Sequence, residues 1–192
     1  MPRRSPISTA TSQLYATSTG FCRVFKENMD SMHLLSFLLT ADLTKAEECF
    51  VSGLGDCVKG SHVFRNWARS WARRTIIQNA VRMLAPRAIQ LAGTAAPSET
   101  VSCSFGTPEA DAAISRILGL EDFERFVFVM SVLEKYSDHD CSVLLGCSRQ
   151  DVREARIRAL QHLSESAKLR RHSLEDVDRQ RQSYHRTASC VT

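Results

Sequence analysis

The chain has 192 residues, 43 % of them hydrophobic and 7 % aromatic, with 25 basic and 21 acidic side chains for a formal net charge of +4. That is enough apolar material for one domain or two small ones, and the small net charge by itself selects no class of partner. Seven cysteines without a C-x-x-C pair argue against a zinc site and against a disulfide framework, and place the chain in a reducing cytoplasm. No run of about 18 apolar residues exists to span a membrane, and the N-terminus lacks the continuous apolar stretch of a signal peptide.

Residues 1–25 are rich in Ser and Thr without periodicity and are expected to be disordered. A first helix is expected from Glu27 to Leu39, with Met32, Leu35, Leu38 and Leu39 on or near one face. Thr44 and Glu47 form a capping box that opens a second helix through Cys49, Phe50, Val51 and Leu54 toward Val58. Gly53 and Gly55 are expected to weaken its end by roughly 1 kcal/mol each. Acids dominate from Glu27 to Asp56. From Val58 to Ser98 the balance inverts, with Lys59, Arg65, Arg69, Arg73, Arg74, Arg82 and Arg87 and no acid at all. Such segregation suggests two surfaces for two different partners.

The longest helix is expected over Val63–Leu84, ending before Pro86. Phe64, Trp67 and Trp71 recur at i, i+3, i+7 and make an aromatic face, while Arg65, Arg69 and Arg73 form a basic stripe well around the cylinder. Two readings of this helix stand. The aromatics can face the core beneath a solvated basic side, or both can meet a polyanion. The absence of any acid in the segment favours the polyanion. Residues 86–106, with small residues, two prolines and Ser/Thr, read as a linker. Thr107, Pro108 and Glu109 then open a helix that Gly119 ends, and Glu121–Lys135 carries Phe123, Phe126, Val127, Met130 and Leu133 on one side.

Tyr136–Leu163 reads as two helices joined by a tight turn. Ser137 with Asp140, and Ser148 with Asp151, are capping boxes, and Gly146 lies between them where a positive φ would be wanted. Cys141, Leu145, Cys147, Val152 and Ala155 fall where the two helices must touch, and Ser142 is small at their crossing. Val152, Ala155 and Ala159 share one face of the second helix. Gln150, Arg153, Glu154, Ile157 and Gln161 take the other, flanked by Arg149, Arg156 and Arg158. A DNA recognition helix needs this layout: an apolar back, polar groups for base edges, cations for phosphates. An ordinary amphipathic helix with a solvated basic face would share the pattern. Helix is expected to about Arg171, and 172–192 is a polar tail with no core pattern. No segment alternates with period two, so the fold class is all-α.

The order of these units resembles the small extracytoplasmic-function sigma factors of bacterial RNA polymerase, in the sigma-seventy family. YSDHDCSVLLGCSRQDVREARIRAL looks like the family's fourth region, through the Tyr136-Ser137 entry, the Leu145-Gly146-Cys147 turn, Val152-Arg153 and Arg158-Ala159. LLTADLTKAEECFVSGL is similar to the second-region helix that docks on the polymerase clamp, and FRNWARSWARRTIIQNAVR to the helix that faces the downstream promoter element. The resemblance covers about residues 34–84 and 109–163. It implies two small helical domains on a flexible linker (26–85, 86–106 and 107–171), the second a helix-turn-helix. It also implies core RNA polymerase and double-stranded promoter DNA as partners, and leaves an anti-sigma factor open as a third. Ser148, Arg149, Gln150, Arg153, Glu154, Arg156, Ile157 and Arg158 would read the upstream element. Arg65, Arg69, Arg73 and Arg74 would hold the downstream one, and Glu47, Glu48, Phe50, Val51 and Leu54 would meet polymerase. Only about nine residues separate Leu54 from Phe64, where the family has a longer loop that captures a flipped base, so strand melting is less firmly implied than DNA binding. The alternative is a sigma-like DNA-binding regulator that does not engage polymerase.

No cofactor, metal or catalytic residue is expected. Asp138, His139 and Asp140 beside Ser137 and Ser142 have the residue types of acid–base chemistry, but neighbours on one short helix point in different directions and cannot assemble a nucleophile, base and orienter.

Overall fold

A computed structural model describes residues 14–60, 62–86 and 107–165, and among them the chain is all-α, with one isolated antiparallel bridge, Tyr15 to Phe64. The expected linker beyond residue 86, the polar tail and the continuation of the last helix toward Arg171 lie outside the described residues.

The N-terminal expectation needs correction. A helix, α1 (Ser18–Glu27), occupies sequence read as disordered. Thr17 caps it by accepting from the Gly20 amide at 3.1 Å, and Phe21 and Phe25, one turn apart, are buried. The aromatic pair supplies what the Ser/Thr-rich surroundings concealed. Asn28 interrupts the chain, and α2 (Met29–Thr40) follows, burying Met32, Leu35, Leu38 and Leu39 as its period requires. Ala41, in the left-handed region at φ 53°, ends it.

The next helix, α3 (Leu43–Gly60), starts earlier than the Thr44 box implied, because the Asp42 carboxylate caps the Lys45 amide at 3.0 Å. Gly53 is buried inside it, and a Cβ built there would stand 2.9 Å from Ile76 Cγ1. Its role is close helix approach, the opposite of the softening expected from composition. Gly55 has open space around it. Gly53→Val is therefore expected to destabilise by about 1–3 kcal/mol through overpacking, measured as a lower urea midpoint, whereas Gly55→Ala should hold or raise it.

The long helix is shorter than read. Val63 and Phe64 are extended, with the Ala16 amide donating to the Val63 carbonyl at 2.7 Å and the Arg65 amide to Leu14 at 2.9 Å. A 3-10 turn (Arg65–Trp67) leads into α4 (Ala68–Leu84). The α4 face that enters the core is Ala68, Ala72, Ile76 and Ala80, where the three alanines, and Gly53 opposite Ile76, let α3 and α4 lie close. After the break come α5 (Pro108–Leu118), capped by Thr107, and α6 (Asp122–Phe128). The latter runs into a π turn, Val129–Leu133, within the stretch read as apolar on one side. Phe123, Phe126, Val127 and Met130 are buried as read, but Leu133 is 42 % exposed.

One hydrophobic cluster joins Phe21, Leu39 and Ile76 to Phe126, Met130 and Val152. Polar ties cross it as well. The buried Arg125 guanidinium donates to the Leu39 carbonyl at 3.4 Å from both Nε and Nη2, to Leu120 at 2.9 Å and to the Asp122 carboxylate at 2.5 Å. Leu39 lies in the last turn of α2, where carbonyls lack helical partners and a cation is favourable.

Burial also governs the thiols. Cys49 and Cys141 are pushed up to about 11 by desolvation from an ordinary 9.0. Folded pKa values above the unfolded ones add stability that is complete below about 9 and is lost as pH rises through 11. With a thiol reagent at pH near 8, Cys22 should react first among the described cysteines, and Cys49, Cys57 and Cys141 only on unfolding. Equal rates by mass spectrometry would contradict this burial.

Candidate nucleic-acid interface

The Tyr136–Leu163 stretch is assembled by its caps. Ser137 opens α7 (Asp138–Leu145), its Oγ accepting from the Asp140 amide at 3.1 Å and donating to the Asp140 carboxylate at 2.5 Å. These hydrogen bonds hold the Asp140 carboxyl below its ordinary value. Gly146 takes φ 66°, which a side chain would disfavour, and turns the chain. Ser148 then starts α8 (149–165): its Oγ accepts from the Asp151 amide at 3.1 Å, and its own amide donates to the Asp151 carboxylate at 2.9 Å. The box is reciprocal, and it lowers the Asp151 pKa. Val152, Ala155 and Ala159 are fully buried, with Cys141 equally buried on the facing helix and Leu145 and Cys147 packed at the edge.

The opposite side of α8 is open. Ser148, Arg149, Gln150, Arg153, Glu154, Ile157 and Arg158 are exposed, and Arg156 is half-buried. Acids organise the cations on it. Asp138 receives Arg156 Nη1 at 2.6 Å and lies 3.4 Å from Arg153 Nε. Arg158 Nε donates to Glu124, whose carboxylate is buried, at 2.7 Å, and His162 Nδ1 lies 3.3 Å from the same group. Gln150 bonds Glu154 at 2.8 Å, and Arg149 meets the His139 ring at 3.1 Å. The Ser137–Asp140 stretch is thus spent on caps and arginine contacts, each member with a different partner.

The second surface lies around the start of α4. Trp67 is 65 % exposed, Phe64 43 % and Trp71 38 %, so the aromatic face does not enter the core. Phe64 stacks on Tyr15 at 5.0 Å and meets Trp67 edge-on at 5.6 Å. Phe64, Trp67 and Trp71, together with His62, Arg74 and Tyr136, line a groove of about 660 Å³ with no acid among its described lining residues. Arg74 stands 5.9 Å over the Tyr136 ring.

The basic stripe divides. Arg65 and Arg69 are exposed. Arg73 is not free: its Nε donates to Glu134 at 2.6 Å, its Nη2 meets the other oxygen of the same carboxylate, and Nη1 lies 3.4 Å from Ser31 Oγ. That carboxylate raises the Arg73 pKa above its ordinary value. Arg82 pairs with Asp56 at 3.3 Å. The lack of acids within the segment therefore did not leave all of its arginines unpaired, since partners come from α3 and from beyond the π turn. No signal local to the segment could have shown Glu134 or Tyr136 arriving there.

Of the residues assigned to polymerase, Glu47, Glu48 and Val51 are exposed. Phe50 packs edge-on against Phe25 at 5.3 Å and Leu54 leans on the core, so these two serve the fold at least in part. Among the described residues no helix is long and apolar enough to cross a membrane, and no cluster of His, Cys, Asp and Glu could hold a metal ion. Compared with protein-family models and with curated proteins, the chain matches none.

Proposed function

We propose that the chain is a sigma-type transcription initiation factor: it binds core RNA polymerase and directs initiation by sequence-specific promoter recognition. The observation that carries this reading is α8, a reciprocally capped helix sealed at the back by Val152, Ala155 and Ala159 that turns Arg149, Gln150, Arg153, Glu154 and Ile157 outward. With α7 it makes a helix-turn-helix whose second helix would enter the major groove of the upstream element. The exposed arginines and rings at the start of α4 would hold the downstream element by phosphate contact and base stacking. Glu47, Glu48 and Val51 would offer an acidic and apolar patch to polymerase. The factor itself performs no covalent chemistry and acts in the cytoplasm.

The test is transcription in vitro with core polymerase over genomic fragments, combined with co-elution of factor and core. Defined start sites and a stable complex are expected. Replacing Arg65 and Arg69 with alanine should lower the salt slope of DNA binding by about 0.9 for each phosphate contact removed, and an unaltered slope would mean that these arginines are merely solvated.

A second reading has one observation in its favour. Because Phe50 and Leu54 are engaged with the core, the apolar part of the polymerase patch is small. A sigma-like DNA-binding regulator that does not engage polymerase would bind DNA specifically and fail to co-elute.

A further inference from the structure

Arg73 and Arg74, on the basic face of α4, are covered by the segment that joins the π turn to α7. The Arg73 fork is closed on Glu134, with the two side chains only 21 % and 11 % exposed, and Tyr136 lies under Arg74. The backbone that delivers these groups is unusual. Val129–Leu133 is a π turn, the Glu134 amide donates to Val129 and the Tyr136 amide to Met130, and Lys135 between them sits at φ 61°. A non-glycine residue in the left-handed region and a π turn are both strained forms that persist only where surrounding contacts hold them. Arg125 on the Leu39 carbonyl is a second tie across the same junction.

We propose that this contact is an autoinhibitory latch: Glu134 occupies Arg73 in place of a nucleic-acid phosphate, so that the docked C-terminal unit masks part of the basic face of α4. The inference rests on the DNA-binding reading above. A carboxylate and a phosphate offer an arginine fork the same paired acceptors, so they compete for one guanidinium. While Glu134 holds Arg73, phosphate can reach Arg65 and Arg69 but not Arg73. Apparent affinity is then reduced by the fraction of molecules that are closed. Releasing the latch would expose Arg73 and relax Lys135.

The test compares full-length wild type with Glu134→Gln, and with Glu109→Gln as a control that removes the same charge at an exposed site. The probe is a labelled random-sequence DNA duplex, followed by anisotropy. Glu134→Gln is expected to bind at least about five-fold more tightly, within the usual range of such couplings, while Glu109→Gln stays near wild type. Equal binding by all three chains would overturn the latch and leave the DNA-binding reading intact. Binding by none of them would sink that reading, and the latch with it. If Glu134→Gln fails to fold, hydrogen exchange on wild type decides. Duplex should speed exchange in 129–137 and slow it in 68–74, and unchanged protection of 129–137 would overturn the proposal.

Discussion

Replacing Phe126 with alanine is expected to lower the stability of the folded chain by about 3–5 kcal/mol, the usual range for removing a buried phenyl ring. Phe126 is completely buried in α6, and its cluster runs without a break from Phe21 and Leu39 to Val152 and Ala159. The cavity therefore opens in a core shared by the helices before residue 86 and those after 107. A continuous core predicts one cooperative unfolding transition, with the midpoint lowered by roughly 6–20 °C at 2–4 °C per kcal/mol. Calorimetry checks both statements. Two transitions, of which only one moves on substitution, would mean that the halves unfold separately and that their contact adds little.

The continuous core bears on how much could be read from the chain. Most of the helices were legible from residues buried at helical spacing, Met32, Leu35 and Leu39 in α2 and Val152, Ala155 and Ala159 in α8. The α5 helix, which buries no residue, was legible from Thr107 and Pro108 at its start, and α1 was hidden by the Ser and Thr around Phe21 and Phe25. The capping boxes at Ser137 and Ser148 were legible to the atom, since a cap depends only on residues three apart. What escaped was set by residues far away. Gly53 reads as a helix breaker until Ile76 is seen against it. Arg73 and Arg82 read as unpaired until Glu134 and Asp56 are placed. The aromatic stripe left two readings open, and the exposure of Trp67 removes the core-facing one. The start of α4 slipped from Val63 to Ala68 because Leu14 and Ala16 draw the backbone of Val63 to Arg65 into an extended pairing, and no property of residues 63–65 announces that.

Replacing Arg149 and Arg153 together with alanine should weaken sequence-specific DNA binding by about 2–4 kcal/mol, roughly 30- to 1,000-fold, if each contacts a base or a phosphate beside it. Both are exposed in the first turns of α8, the part of a recognition helix that enters a major groove. Neither is integral to the core, so the loss should come without unfolding. Arg156 and Arg158 are poorer choices, because removing them would leave Asp138 with one fewer partner and the buried Glu124 carboxylate with only His162 near it. A buried charge that loses its partner costs stability and would confuse the result. The two arginines also differ from each other. To reach DNA, Arg153 would have to leave Asp138, whereas Arg149 would leave only the His139 ring. Asp138→Asn should therefore alter the contribution of Arg153 and spare that of Arg149, a difference that a double-mutant cycle resolves. Binding and sequence preference unchanged in the double variant would mean that α8 is an amphipathic helix with a solvated basic face, and the reading of this chain as a promoter-recognition factor would fall with it.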